Sequence, residues 1–382
     1  MTVAAPLPRA PRRFRTVGAL ARDVVARAEP ARFGPVDPRL RVSVVVPAKD
    51  EADRLPTLVA ALDGQRDLDG RPLPAGAVEV LVLLNNCTDA SERVLAEASA
   101  RHGLDVRAAS VALAAPEAHV GRARRLLMDA ACARLWAVGR PSGVVCSTDA
   151  DTVPAPDWIA QTLAEIDRGV DAVGGRALLH PAERAALAPG VRRLYLLDLA
   201  YRRALEELRA LYAPEPHDPA PRHHHHYGAS LAVTAGAYAA VGGLPDVRTS
   251  EDEALVHALW TAGRRLRHSP RVKVYTSARA SGRADGGLAD AFAFWAGCVR
   301  QRREPHVEPA DAADRRLARL GLHRRRCPDA PPPLDLLATP EAGPDGGEPI
   351  TVAIRGLRAR VAALRPLSLD ARLDRAHRLV RS

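Results

Sequence analysis

Lysine is nearly missing from this chain: of its 55 basic residues only Lys49 and Lys273 are lysine, and the rest are arginine. With the abundance of alanine, proline and glycine, that bias reads as codon usage in a GC-rich genome, so the net charge of +10 is weak evidence for a polyanionic partner. Aromatic residues are scarce at 4%, which leaves little for the base stacking that single-stranded nucleic-acid binders depend on. No nucleic-acid partner is expected. The five cysteines (Cys87, Cys132, Cys146, Cys298, Cys327) are scattered and odd in number, without CxxC spacing, which argues against a disulfide framework or a zinc site and fits a reducing cytoplasm. No stretch approaches 18 uncharged apolar residues, and Pro6, Pro8, Pro11 and arginines interrupt the first thirty, so neither export nor a membrane span is expected. What is present, 382 residues with 47% apolar and 26% charged, is ordinary globular composition and excludes disorder as the whole answer.

Residues 1–39 are rich in proline and arginine and hold one short helical pattern, Val17, Leu20, Val24 and Val25; they read as an N-terminal extension. An ordered body spans 40–300. Val42-Ser43-Val44-Val45-Val46 stops at Pro47, Glu79 to Leu84 stops at Asn85-Asn86, and Gly143 to Ser147 ends at Thr148-Asp149-Ala150-Asp151; all three read as buried strands. Leu55, Leu58, Val59 and Leu62 supply helical spacing between the first two, and a further helix follows Thr88-Asp89 up to Ala100. This alternation predicts a doubly wound, mostly parallel α/β sheet with flanking helices, whose ligands gather beyond the carboxyl ends of its strands. A long amphipathic helix over 191–212 precedes a Pro-rich loop with His223-His224-His225-His226. Tyr227 to Thr234 and Val272 to Thr276 read as strands, with a helix from Glu253 to Ala262 between them. Residues 301–382 form a basic C-terminal extension, loosely structured over 304–350 and then helical through Ile354, Leu357, Val361 and Leu364 and through Leu369, Leu373 and Leu379.

Asp149 and Asp151, at i and i+2 after a buried strand, can both face one hard cation, and Mg²⁺ or Mn²⁺ shares such oxygens with a diphosphate; the bland alternative is a solvated turn capped by aspartates. Glu251-Asp252 opens an amphipathic stretch, so it is either a helix cap or a source of the general base that takes a proton from an acceptor hydroxyl. The four histidines read better as a solvent-exposed loop than as a metal site, because neighbours on an extended chain alternate sides.

The order of these clusters resembles the family 2 glycosyltransferases of the GT-A fold, soluble bacterial type, over about residues 41–295. Pro47-Ala48-Lys49-Asp50-Glu51 looks like the family's first strand-end motif, which implies contact of Pro47, Ala48, Asp50 and Glu51 with the nucleotide. Asn85-Asn86-Cys87-Thr88-Asp89 is similar to the second, implying roles for Asn85, Asn86 and Asp89, and Gly121 with Arg124 matches a glycine-led basic element near the diphosphate. Asp149, Ala150 and Asp151 correspond to the metal-binding DxD. Gly228 and Ala229 resemble the segment shaping the donor and acceptor pocket, and Glu251-Asp252 the Glu-Asp motif in which the aspartate is the usual base.

What the resemblance implies is a cytoplasmic, metal-dependent hexosyltransferase-type enzyme that moves a sugar from a nucleotide sugar to a small or lipid-linked hydroxyl, with inversion. The Gln-x-x-Arg-Trp motif of membrane-embedded polysaccharide synthases is absent, which speaks against processive synthesis. Arg279 and Arg283, in a Gly- and Arg-rich segment after a strand, are candidate phosphate contacts or part of a surface turn. Two rivals stand beside this reading. One is a sugar-phosphate nucleotidyltransferase, whose longer Gly-rich phosphate loop Pro47 to Glu51 does not provide. The other is a non-catalytic module whose basic tail (Arg355, Arg358, Arg360, Arg372, Arg378) docks on an anionic membrane; against it stands the packing of the same helices on the body.

Overall fold

The computed structural model describes residues 17–279, 287–328, 330–338 and 347–381. Its eight main strands are β1 (Val42–Ala48), β2 (Val78–Asn85), β3 (Asp105–Val111), β4 (Val144–Ser147), β5 (Thr152–Pro154), β6 (Ala172–Leu179), β7 (Leu231–Thr234) and β8 (Leu266–Thr276). They form one sheet in the order β3-β2-β1-β4-β7-β6-β8-β5, with β7 antiparallel to both neighbours and β5 antiparallel to β8. The remaining pairs are parallel. This is the expected mixed, mostly parallel α/β sheet.

The first helices are α1 (Val17–Arg27), α2 (Leu55–Asp63), α3 (Ser91–Ala100), α4 (Val120–Ala137), α5 (Trp158–Ile166), α6 (Pro181–Ala186) and α7 (Pro189–Tyr212). They are followed by α8 (Ala235–Ala240), α9 (Glu251–Thr261), α10 (Leu288–Arg300), α11 (Ala310–Arg326), the single turn α12 (Leu334–Leu337), α13 (Ile350–Leu364) and α14 (Leu369–Arg381).

The valine run of β1 is buried because both faces of the sheet are covered. Val42, Val44 and Val46 pack with Leu55, Leu58, Val59 and Leu62 of α2. Val45, on the other face, packs with Leu127 and Met128 of α4. The same layering places the carboxyl ends of β1, β2 and β4 side by side, with β4 leading into the Asp149–Asp151 turn. The N-terminal extension is fastened to this body: Val24 and Phe33 are buried in the core that holds α4, and Arg27 donates to Asp129 at 2.7 Å.

The reading of 304–350 as loosely structured is corrected by α11, whose Ala313, Leu317 and Leu320 are buried. They share a core with Tyr201, Leu205, Leu208 and Tyr212 of α7, Leu357, Val361 and Leu364 of α13, and Leu373 of α14. Gly321 lets α11 approach α7, since a Cβ there would lie 2.6 Å from the Tyr212 carbonyl oxygen. Arg360 pairs with Asp311 and Asp314, and Arg372 donates to the carbonyls of Leu364, Leu211 and Arg365. Much of the tail's basic charge is therefore used in packing. Among the described residues no helix is long and apolar enough to cross a membrane.

Candidate active site

The ends of β1 and β2 are laced together by short acidic side chains. Asp50 Oδ1 accepts the Thr88 amide at 2.6 Å and the Asp89 amide at 3.2 Å, while Asp89 accepts the Ala52 amide and the Ser91 hydroxyl. The Thr88 amide, acting against burial, holds the Asp50 carboxyl below its ordinary pKa. Asp50, Cys87 and Asp89 lie close enough to surround an ion, but both carboxylates are engaged by backbone amides and burial pushes the Cys87 thiol up. Asp50 and Asp89 thus hold the rim in shape. Asn86 does the same across the strand end, donating to the Leu113 carbonyl and accepting the Leu113 amide, each at 3.0 Å. Asn85 differs: its Oδ1 is buried without a partner among the described residues, an acceptor left over for a ligand. Asp50 (φ 53°), Asn86 (φ 52°) and Ser250 (φ 56°) all occupy the left-handed region, so backbone strain collects around this site.

Arg124, on the first turns of α4 and 3% exposed, organises the centre. Its guanidinium donates to Asp149 at 2.7 Å, to Glu251 at 2.9 Å, to the Gly228 carbonyl at 3.1 Å and to the Ser147 hydroxyl. Burial opposes its charge, and Asp149 and Glu251 more than restore it. Two glycines make room. A Cβ at Gly228 would sit 2.5 Å from the Arg124 guanidinium carbon, and one at Gly121 would sit 2.4 Å from the Val247 carbonyl oxygen. Ser147, the residue that sequence reasoning missed, joins the two sides by donating to the Gly228 carbonyl at 2.8 Å; its signal was its place two residues before Asp149 at the strand end.

Asp151 faces the second cation. Arg279 reaches Asp151 at 3.0 Å and Glu51 at 2.7 Å, while Arg283 lies outside the described residues. Burial first, and then the like charge of Asp149, push the Asp151 carboxyl up to about 6. Ala150 between the two aspartates is buried in the sheet core, which fixes the turn. Asp151 also borders a cavity of about 160 Å³ with Arg54, Thr57 and Val153. A larger cavity of about 320 Å³, lined by Leu197, Ile354, Arg355 and Arg358, lies between α7 and α13 away from these carboxylates.

The Glu251-Asp252 pair divides its work. Glu251 is buried against Arg124. Asp252 accepts the Gly228 amide at 2.7 Å through one oxygen and the Glu253 amide at 2.8 Å through the other. Burial and the charge of Glu251 raise its pKa, against the pull of Arg124. Pro47, Ala48, Gly228 and Ala229 complete the strand-end frame.

The histidine segment is not the exposed loop expected of it: His223 and His225 are 9% and 5% exposed. The Ala177 amide donates to His225 Nδ1 at 3.1 Å, and the His225 amide donates to His223 Nδ1 at 3.0 Å. His223 Nε2 then donates to the Ser269 carbonyl at 3.0 Å. His268 donates through Nδ1 to Asp218 at 2.9 Å and faces His226 Nδ1 across 3.3 Å. Burial keeps all four consecutive imidazoles neutral. The sequence hid this because Ala177 of β6 and Ser269 and His268 of β8 are brought beside the segment only by the fold.

No curated protein matches the chain in sequence. Among solved structures it is similar to S. aureus TarS residues 1–349 in complex with UDP-GlcNAc, at 15% identity and a TM-score of 0.43, over 74% of this chain and 65% of that one. This chain therefore spans just under two thirds of TarS 1–349. It is also similar to the mannosyltransferase PcManGT from Pyrobaculum calidifontis in complex with GDP-Man and Mn²⁺, at 18% identity and a TM-score of 0.44, over 96% and 93% of the two chains. Residues 43–217, which run from β1 through the Asp149–Asp151 turn to just past the end of α7, match glycosyl transferase family 2.

Proposed function

We propose that this chain is a glycosyltransferase that carries a sugar from a nucleoside-diphosphate sugar to a hydroxyl acceptor, small or lipid-linked, with inversion at the anomeric carbon. Residues 40–300 form the catalytic domain in this reading, and the segments before and after it brace that domain. The observation that carries the reading is the single buried Arg124, which ties Asp149 at the end of β4 to Glu251 at the start of α9. That tie brings the proposed diphosphate side and the Asp252 side into one network.

The donor set of Asp149 and Asp151 suits Mg²⁺ or Mn²⁺, because both are carboxylates and the pKa of Asp151, raised first by burial and then by the like charge of Asp149, marks a place where positive charge is wanted. A divalent cation held there would neutralise the charge that develops on the leaving diphosphate. The chain's own residues do the rest. Asn85 and Glu51 meet the nucleotide at the ends of β2 and β1, and Arg279 adds positive charge beside Asp151. Asp252 takes the acceptor proton as the acceptor oxygen bonds to the anomeric carbon; the bond from that carbon to the phosphate oxygen breaks, and its electron pair leaves with the diphosphate. The raised pKa of Asp252 suits it to that role.

Calorimetric titration of UDP and GDP, with and without Mn²⁺, into wild type and an Asp149→Ala/Asp151→Ala variant tests this core. Metal-dependent binding that the variant loses is the expected result and identifies the donor base. Failure of a folded wild type to bind either nucleotide overturns it. Proton NMR of the first product anomer tests inversion, and a retained configuration removes Asp252 from the base role.

A further inference from the structure

β6 and β8 run parallel in a register that sets Arg176 beside Lys273. Both residues are half-buried, and among the described residues neither has a hydrogen-bonding or ion-pairing partner for its side chain. Adjacent like charges weaken a sheet unless something neutralises them. Their neighbours along the strands, Ala177 and Val274, belong to the apolar cluster under the sheet, so strand alternation turns Arg176 and Lys273 to the opposite face. Arg176 there acts electrostatically on Tyr195 of α7 and on His223 and His225.

This face leads to the proposed base. The His225 ring lies 5.1 Å from the Tyr227 ring, and Tyr227 immediately precedes Gly228, whose amide holds Asp252. Arg202 of α7 flanks the same rings, but Asp198 pairs with it at 2.9 Å. The surrounding histidines, neutral and buried, supply no negative charge. The wall running from Asp252 is therefore left with uncompensated positive charge at Arg176 and Lys273.

We infer that the acceptor is anionic, with a carboxylate or phosphate group seated against Arg176 and Lys273 while its hydroxyl is presented to Asp252. This rests on the proposed function and narrows its acceptor class. Transfer then proceeds with the atom and charge balance given above, and the anion itself takes no part in bond making.

The test titrates inorganic phosphate and, separately, acetate into the full chain and into Arg176→Gln, Lys273→Gln and Arg176→Lys, with and without saturating nucleotide and Mg²⁺. Wild type should bind one of the two anions, the better one naming phosphate or carboxylate as the acceptor group. Both Gln variants should weaken that binding about tenfold or more, as expected for loss of a charge-assisted contact, with nucleotide affinity unchanged. Arg176→Lys should restore most of the anion affinity. Without anion, both Gln variants should melt above wild type, because the repulsion is gone. Equal anion binding by wild type and the Gln variants, or none by wild type, overturns the inference even where nucleotide binds. Loss of anion binding in the variants of a protein that binds no nucleotide keeps the anion subsite and overturns the donor reading instead.

Discussion

Arg124 and Glu251 lie 127 positions apart in sequence and meet at 2.9 Å, with side chains 4% and 6% exposed. The pair is held on both sides, because the same guanidinium reaches Asp149 and the Gly228 carbonyl. Removing a partner from such a buried arrangement leaves uncompensated charge, which costs about 3–5 kcal/mol. Arg124→Ala should therefore unfold at markedly lower urea concentration than wild type. Arg124→Lys keeps the charge and loses the fork that bridges four acceptors, so it should fold better than Arg124→Ala and still lose most of its transfer rate. An Arg124→Ala protein as stable as wild type would show that the pair does not hold the two halves of the site.

Asp252 and Glu251 are neighbours with opposite expectations. Asp252→Asn keeps an oxygen for one backbone amide and removes the base, so kcat should fall by about 10²–10⁴, the usual worth of a positioned general base, with nucleotide affinity held. Glu251→Gln breaks an ion pair and should lower stability as well as rate. Transfer kinetics and urea melts on the two variants separate these effects. A fully active Asp252→Asn would mean another group takes the proton.

How much of this could be read from sequence follows from where each signal resides. The β1, β2 and β4 runs, with Asp50, Asn85 and Asp149 at or just beyond their ends, are legible because local pattern alone makes a buried strand and leaves polar residues at its tip. β3 and β6 are not: β3 alternates weakly through Arg107 and Ser110, and β6 contains Gly174 and Gly175. Those glycines serve the site. A Cβ at Gly175 would collide with the Ser230 hydroxyl, and one at Gly174 would lie 2.5 Å from the His225 carbonyl oxygen. Helix α11 was obscured by its arginines and flanking prolines, although Ala313, Leu317 and Leu320 carry the helical spacing. Sequence grouped Asn85 with Asn86, whereas Leu113 satisfies only Asn86; that distinction is purely tertiary.

The Asp151 carboxyl, pushed up to about 6 by burial and by Asp149, gives cation binding a pH edge. Below that value the carboxyl holds a proton that a cation must displace, so Mn²⁺ affinity should be about tenfold weaker one pH unit below the edge. In the cation-free protein the sign for stability is opposite to the usual case for an acid. The native state keeps the proton between the ordinary aspartate value near 3.8 and about 6, where the unfolded chain releases it. This contribution to stability is present below that window and lost as pH rises through it. Calorimetry with Mn²⁺ across the window, on wild type and Asp151→Asn, checks it. A wild-type affinity that is flat in pH would mean Asp151 is not a ligand.

The buried histidines pull the other way. Burial lowers the pKa of His223, His224, His225 and His226, with His225 brought to about 3 from an ordinary 6.5. In the unfolded chain these imidazoles take protons once pH drops below about 6.5, and in the native state they do not, so stability is full above that value and declines as pH falls. Each histidine that stays neutral contributes about 1.4 kcal/mol per pH unit in that window. His225→Gln retains an acceptor for the Ala177 amide and removes one titrating group. Its melting temperature should therefore drop less than that of wild type between neutral pH and pH about 5, even if it starts lower. Parallel melting curves for the two proteins across that interval would show that His225 already carries its proton in the folded chain, and the neutral, closed arrangement around β6 would have to be abandoned.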